Sequence, residues 1–500
     1  MVICLALPLR VWGQLPPVGV PGGVVRVELD GSLDAFDQRF RDGHLESYAA
    51  DLSSPALGSD RIPLLANTDA TLGRIIGNSS YRINLGAYAT DAHADVGTGS
   101  FGLSLGLTNG ITIFGRMPLV RTRVQSFTTL DPAGADGGLN PGVIEQLPFF
   151  SEFDAALGTL SSKIAAGDYD ANPTQKALAE ATLADATSLR ADLFGVLADP
   201  LTASPALPTT TSGAGTALTA RITALQNTLA SNLSVTGFTL APALPETALT
   251  SAEFPELLSR LDLRLSQSPV TFRGDAEVGA AVTLVDGWDR QAHRGGFRTA
   301  VSGLVRLPTG SRERSDRLLD IGTGDGQADI QVDLVTDVGS GPFGARLTGS
   351  YVRQLPSDIT ARVTSPDQPL AGRDRLAVVR LDPGDIISLG VRPFYRLART
   401  LALQVGVQHW SRGADEASYP SPADSIPGVD ASILAAESKV NATQLSVGIT
   451  YSNPGGLRPG GKGLPVDASW SYERVLRSGG GRTPDSHAVR GTFRAYFGLW

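Results

Sequence analysis

Cysteine is all but absent: Cys4 is the only one in 500 residues, and it lies in the first apolar stretch. A disulfide framework and a thiolate zinc site are therefore both excluded. Charge is scarce, at 18% against the ~25% of ordinary soluble chains. The 42 Lys and Arg fall short of the 50 Asp and Glu, so no basic excess exists to hold a phosphate backbone, and nucleic-acid binding is not expected. Histidine is thin as well. His44, His93, His293, His409 and His487 are scattered through loops and strand ends, with no metal-ligand spacing among them, so neither a metal nor a cofactor is expected. Long apolar runs are missing too: nothing approaches the ~18 consecutive apolar residues of a membrane-spanning helix.

Glycine (57) and proline (32) are plentiful instead, and the apolar residues are arranged in strict alternation. Leu401, Leu403, Val405, Val407 and His409 share one face, while Ala402, Gln404, Gly406, Gln408 and Trp410 share the other. The same two-faced pattern recurs at 343–351, 444–451 and 489–499. It returns near 80–90, 98–107, 110–127, 271–285, 295–307, 327–338, 384–397 and 464–477. Alternation of this kind marks β-strands with two chemically different sides. Most of these stretches exceed the ~5–6 residues of a soluble strand and suit a tilted bilayer crossing, which takes ~9–11.

From Tyr81 onward the links alternate between long and short. The long ones are 128–270, 308–326, 355–383 and 413–438; short ones are 108–110, 339–341 and 398–400, with medium ones near 286–294 and 453–463. Every long link then falls on one side and the C-terminus on the other, as in outer-membrane barrels. The fold expected is an all-β membrane protein: a closed antiparallel up-and-down transmembrane β-barrel of about 12 strands, with 14 as the alternative, and an α-helical insertion. Aromatics such as Tyr81, Phe272, Tyr395, Tyr451 and Tyr472 fall towards strand ends, where interfacial girdles form. The polar faces carry the residues expected to line the lumen: Arg82, Arg273, Asp275, Glu277, Arg298, Arg306, Asp329, Asp333, Arg346, Arg392, Arg396, Gln404, Gln408, Asp467, Glu473, Arg490 and Arg494.

The domain reading follows. Residues 1–13 read as a signal peptide, truncated at its basic end, with Val2 to Leu9 as the apolar region and Gly13 before the cleavage point. Residues 14–79 form an N-terminal periplasmic or hatch segment, or the first strands, since Val25, Val27 and Leu29 alternate. Barrel strands occupy 80–127. The segment 128–270 turns helical: Phe153, Leu157, Leu160 and Ile164 recur at helical spacing, as do Leu218, Ile222, Leu225 and Leu229, then Phe254, Leu257, Leu258, Leu261 and Leu265. A fourth helix is expected over 175–197. This insertion caps the mouth, hangs outside as a bundle, or plugs the lumen. Residues 271–500 return to barrel strands and end on an aromatic strand. Many outer-membrane barrels end on an aromatic residue that the assembly machinery reads, and Trp500 resembles that signal.

Two passages resemble a known group. Phe101-Gly102-Leu103-Ser104-Leu105-Gly106-Leu107-Thr108-Asn109-Gly110-Ile111-Thr112-Ile113, followed by Met117-Pro118-Leu119-Val120, is similar to a hairpin of outer-membrane channels. Gly274-Asp275-Ala276-Glu277-Val278-Gly279 and then Val305-Arg306-Leu307-Pro308-Thr309-Gly310 resemble a second stretch of the same group. These are the transporters associated with phenol meta-cleavage degradation, akin to FadL-type channels. The resemblance covers 80–127 and 270–500, and it implies passive uptake without naming a solute.

Chemistry is sparse. His409 with Ser411 on the apolar face raises a lipid-facing hydrolase, yet no polar orienting residue accompanies them, and a histidine at the membrane interface is the simpler reading. Gly322-x-Gly324-x-Gly326 leads into a strand rather than a helix, which suits a flexible turn better than a phosphate loop. Asp320, Asp325 and Asp329 beside it are weighed as calcium ligands and read as turn residues. No enzyme is expected. The function expected is an outer-membrane channel for passive diffusion or uptake of small solutes, aromatic or other hydrophobic compounds among them. The alternative is a surface adhesin whose helical insertion carries the activity. Partners expected are outer-membrane lipid and lipopolysaccharide, the barrel-assembly machinery and a small-molecule solute, in the outer membrane of a Gram-negative-type bacterium.

Overall fold

A computed structural model describes residues 18–265, 269–288, 295–453 and 464–499. The signal-peptide reading (1–13) and Trp500 lie outside the described residues. Twelve long strands carry the architecture: β1 Val24–Phe36, β2 Ala87–Gly106, β3 Ile111–Asp131, β4 Ala276–Asp286, β5 Gly295–Leu307, β6 Asp329–Ser340, β7 Phe343–Gln354, β8 Ile386–Arg396, β9 Leu401–Arg412, β10 Val440–Ser452, β11 Val466–Gly479 and β12 His487–Gly498. Each is antiparallel to its neighbour, and β12 pairs with β1 from Val24–Gly498 to Ala35–His487, which closes the ring. A thirteenth piece, Val270–Arg273, extends the path of β4 along β3.

The count of twelve expected from sequence holds, with a different membership. Residues 80–90 and 98–107 are not two strands: 80–86 lie in the link, and β2 runs unbroken from Ala87 to Gly106, joining 87–90 to 98–106. The missing member is β1, whose Val25, Val27 and Leu29 alternate with Arg26, Glu28 and Asp30. Closure satisfies every ladder group without an edge, the condition for β-structure in lipid.

Alternation now acquires direction. Leu29, Leu103, Ile113, Leu334, Val405 and Val447 point outward and are exposed, while Glu28, Ser104, Thr112, Asp333, Gln404 and Ser446 point inward and are buried. An exposed apolar face repeated on strand after strand is a lipid-facing belt. No described helix is long and apolar enough to cross a membrane. The chain is a transmembrane β-barrel.

Its two ends differ. The links 107–110, 341–342 and 397–400 lie at the end where Val24 meets Gly498. At that end residues 18–23 fold beneath the wall: the Val20 N–H donates to Thr112 Oγ1 (2.8 Å), and the Gly23 N–H donates to the Gly106 carbonyl (2.9 Å). Any side chain at Gly106 would meet the Pro21 carbonyl oxygen at 2.0 Å, so only glycine fits.

At the opposite end gather the links 37–86, 132–269, 308–328, 355–385 and 413–439. Helices α1 Leu65–Ile75, α2 Val143–Ala166, α3 Pro173–Leu197, α4 Gly213–Asn227 and α5 Phe254–Arg260 form there. Helix α3 starts cleanly, with the Asn172 side chain accepting from the Thr174 and Gln175 N–H groups and Pro173 in the first turn. Strands β2 and β3, at 20 and 21 residues, outrun the ~9–11 that a bilayer crossing needs. Their upper inner faces (Ala92, Ala94, Val96, Val120, Val124 and Leu130) share one apolar core with Phe153, Leu160, Leu193, Leu218, Ile222 and Leu257 of the helices. The helical insertion is therefore seated on the barrel wall, and α1 of the 37–86 link packs against α3 and α4. A second small sheet (Ser357–Arg362, Leu376–Asp382 and Glu416–Ser418) covers the other side of that end with its own core of Ile359, Val379 and Leu381. Ion pairs bind these links and the 480–486 link together: buried Asp51 receives Arg39 (2.8 Å) and Arg482, and the half-buried Glu437 receives Arg41 and Arg482 (2.5 Å each).

Candidate functional site: the barrel interior

Directly paired residues on neighbouring strands point to the same side, so register alone lines up the interior. Asp467, Arg494, Glu28, Gly102, Arg116, Glu277, Arg306 and Asp329 are successive register partners from β11 round to β6. Gly102 apart, the sign alternates at every step. Glu28 accepts from Arg494 (2.5 Å) and Arg116 (2.9 Å); Arg116 approaches Glu277 (3.7 Å); Arg306 reaches Glu277 (3.4 Å) and Asp329 (2.7 Å). The chain thus lays a ladder of opposite charges across eight of the twelve strands of the wall. Elsewhere Asp337 accepts from the Nε atoms of Arg298 (3.0 Å) and Arg346 (2.6 Å), and Glu473 accepts from Arg490 (2.7 Å). Arg396 lies 5.1 Å from the Trp288 ring and 5.8 Å from Phe394.

Gaps remain between these side chains. One, a cavity of about 240 Å³, lies in the half towards the long links. Its lining combines apolar side chains (Pro118 and Val120 of β3, Leu318, Leu319 and Ile321 of the 308–328 link, and Ile359, Leu381 and Ile386) with charged ones, Arg312, Glu313, Arg314 and Arg362 among them. Its floor is ionic, with Arg116, Glu277 and Arg306. A smaller cavity of about 50 Å³ lies towards the end of the short turns, between Val18, Arg26, Glu28, Phe114, Arg116, Asp333 and Arg494. Arg116 borders both and stands in the partition between them. A third gap of about 20 Å³ is bounded by Arg392, Gln408, Gln444 and Glu473.

No family model matches this chain, and a search of curated proteins found no match. Among solved structures the chain is similar to an outer-membrane channel from Pseudomonas putida F1, with 10% identity over 97% of this chain and 100% of the other and a TM-score of 0.44. It is similar at lower scores to the CymD monoaromatic hydrocarbon channel (9% identity, 96% and 89% covered, 0.27) and to a FadL homologue of Pseudomonas aeruginosa (9%, 96% and 91%, 0.28). Likenesses this distant leave the functional reading to the barrel itself.

Of the residues picked from sequence, Glu277, Arg298, Arg306, Asp329, Asp333, Arg346, Arg392, Arg396, Gln404, Gln408, Asp467, Glu473, Arg490 and Arg494 lie on the inner side of the strands. Three do not behave as expected. Arg82 sits in the link before β2 with its side chain in solvent, because the strand begins only at Ala87. Arg273 pairs with the outward-facing Leu119, while Glu277 pairs with the inward-facing Arg116. The pairing sum shifts by one residue across Gly274, and a one-residue shift sends a side chain to the opposite face. Asp275 is turned inward but clamps the 308–328 link, accepting from the Gly310 N–H (2.8 Å) and the Asp325 N–H (3.2 Å).

Sequence reasoning missed Arg26, Glu28, Asp30 and Asp34 of β1, Arg116 of β3 and Asp337 of β6. Their signal was present: each alternates with an apolar outward neighbour. Among the described residues no cluster of His, Cys, Asp and Glu is arranged to hold a metal ion.

Proposed function

We propose that this barrel is an outer-membrane channel for small amphipathic molecules about the size of one substituted aromatic ring. The observation that carries the reading is the larger of the cavities described: an amphipathic lining, an ionic floor and about 240 Å³ of space inside a closed barrel. An apolar cavity of ~150 Å³ already holds benzene. Leu318, Ile321 and Val120 take up an apolar body, while Arg116 and Arg306 face the polar group of the solute. Onward movement passes Arg116, whose guanidinium is held by Glu28 and stands between the upper and lower cavities. Charged belts of this kind orient polar groups across a narrow passage and slow solutes that carry none. The adhesin alternative finds no support in the insertion, whose core is continuous with the inner wall of β2 and β3.

Planar-bilayer recording and proteoliposome swelling on the full chain test this reading. Arg116→Ser is expected to raise single-channel conductance several-fold over the native chain and to speed swelling with ring-sized solutes such as phenol. If neither protein conducts and neither admits a ring-sized solute, the channel reading is wrong.

A further inference from the structure

The outer surface of β3 carries charge where the apolar belt ends. Ile111, Ile113, Met117 and Leu119 are exposed apolar side chains on its outer face; the next two outward positions are Arg121 and Arg123. The register shift at Gly274 places Arg273 beside them. Arg121 pairs with Thr271, so Arg273 is its diagonal neighbour on the next strand. Diagonal cross-strand neighbours and i, i+2 neighbours both lie ~7 Å apart. Arg121 therefore stands between Arg273 and Arg123 in a row of three arginines at the border of the belt on the side of the long links.

One carboxylate, Asp95, stands opposite Arg123 on the outer face, and none stands opposite Arg121 or Arg273. Among the described residues none of the three forms an ion pair; the Arg273 side chain donates to the Thr309 carbonyl (3.0 Å). Asp95, the register partner of Arg123, lies 3.1 Å from His93 Nε2 and forms no ion pair with Arg123. Elsewhere at the same height the barrel treats its arginines differently. On β7, Arg353 follows the belt residues Leu347 and Tyr351, and it is matched by Asp385 (2.9 Å) and Asp382 (3.5 Å). Three arginines against a single carboxylate leave net positive charge at a lipid boundary, which is unfavourable unless the lipid itself carries the anion.

We propose that Arg121, Arg123 and Arg273 form a binding site for the phosphate groups of a phosphorylated glycolipid in the leaflet on the long-link side. The acyl chains of that lipid lie against Leu119, Phe101 and Val278. Arginine suits the task because its planar fork meets phosphate oxygens in pairs and stays charged at any physiological pH. The site concerns the outer wall and is independent of what crosses the lumen; it rests only on the barrel being embedded in a bilayer.

Native mass spectrometry of the full chain in detergent tests it, with lipid A and dephosphorylated lipid A as probes. The native chain is expected to retain lipid A and release the dephosphorylated form. Arg121→Gln/Arg123→Gln/Arg273→Gln is expected to lose lipid A affinity by tenfold or more, since each lost charge-assisted contact accounts for about tenfold. Arg353→Gln, at an arginine already matched by carboxylates, is expected to leave retention unchanged. A heat-modifiability gel reports that each variant is folded. If the triple variant does not fold, Arg123→Gln and the charge-keeping Arg121→Lys replace it, with only the former expected to weaken retention markedly. Equal retention of both lipids, or undiminished retention by the Gln variants, overturns the proposal. So does displacement of lipid A by inorganic phosphate at equal concentration, which would assign the patch to a soluble anion.

Discussion

Glu28 carries more of the interior than any other carboxylate, and its removal is the sharpest test of the ladder. Its side chain is 3% exposed and lies 2.5 Å from Arg494, 2.9 Å from Arg116 and 3.7 Å from Arg26. Glu28→Gln keeps the shape and deletes the charge, leaving three guanidinium groups facing one neutral amide. Stripping one partner from a buried pair costs about 3–5 kcal/mol, because the remaining charge stays desolvated. Arg116 retains Glu277 at 3.7 Å and Arg26 is at the edge of contact, so the lower part of that range, about 3 kcal/mol, is the figure expected. The assay is urea unfolding of the folded barrel in lipid vesicles, followed by the gel shift between folded and unfolded forms. Lys176→Gln, which breaks an exposed pair with Asp170 (2.8 Å) on the helical insertion, serves as the comparison and is expected to cost about 0–1 kcal/mol. Glu28→Gln/Arg494→Gln is expected to recover part of the loss, since the two losses are not independent. A Glu28→Gln cost no larger than that of Lys176→Gln would refute the reasoning and mean that water screens the ladder fully.

Leu103→Arg places a cation in the middle of the apolar belt on β2, where the native side chain is exposed to lipid. About 2–4 kcal/mol of folding free energy into vesicles is expected to be lost, and an unchanged value would mean that this face does not meet hydrocarbon. At the long-link end, Arg314 and then Arg264 hold the Asp316 carboxyl down to about 2 from its ordinary 3.8. A depressed value contributes stability above the unfolded value and loses it as pH falls through the folded one, so tethering of the 308–328 link is expected intact above pH ~4 and lost by pH ~2. Hydrogen exchange of that link across the interval reads the loss, and Asp316→Asn is expected to abolish the pH dependence; a link equally protected at both ends of the interval contradicts it.

Much of this was written in the order of the residues. Alternation specifies a two-faced strand wherever it occurs, because side chains on an extended chain must point to opposite sides. Links that are long on one side and short on the other fix an up-and-down ring. Those two local regularities were enough for the barrel, the number of its strands, its outward belt and most of its inner charges. Residues 80–90 alternate as well as any strand, yet only the pairing of β2 with β3 reveals that 87–90 belong with 98–106 while 80–86 stay in the link. The ladder from Asp467 to Asp329 joins residues more than four hundred positions apart, and no property of one strand announces which charge will face it from the next. Register decides that, and register is set by closure of the whole sheet. The same holds for Arg273: a one-residue shift at Gly274 moves it from lumen to lipid boundary, an outcome invisible in a sequence whose pattern reads equally well either way. The seating of the helical insertion was likewise a tertiary matter. Its stripes require a partner, but only the overlong β2 and β3, rising past the belt with an apolar inner face, supply one.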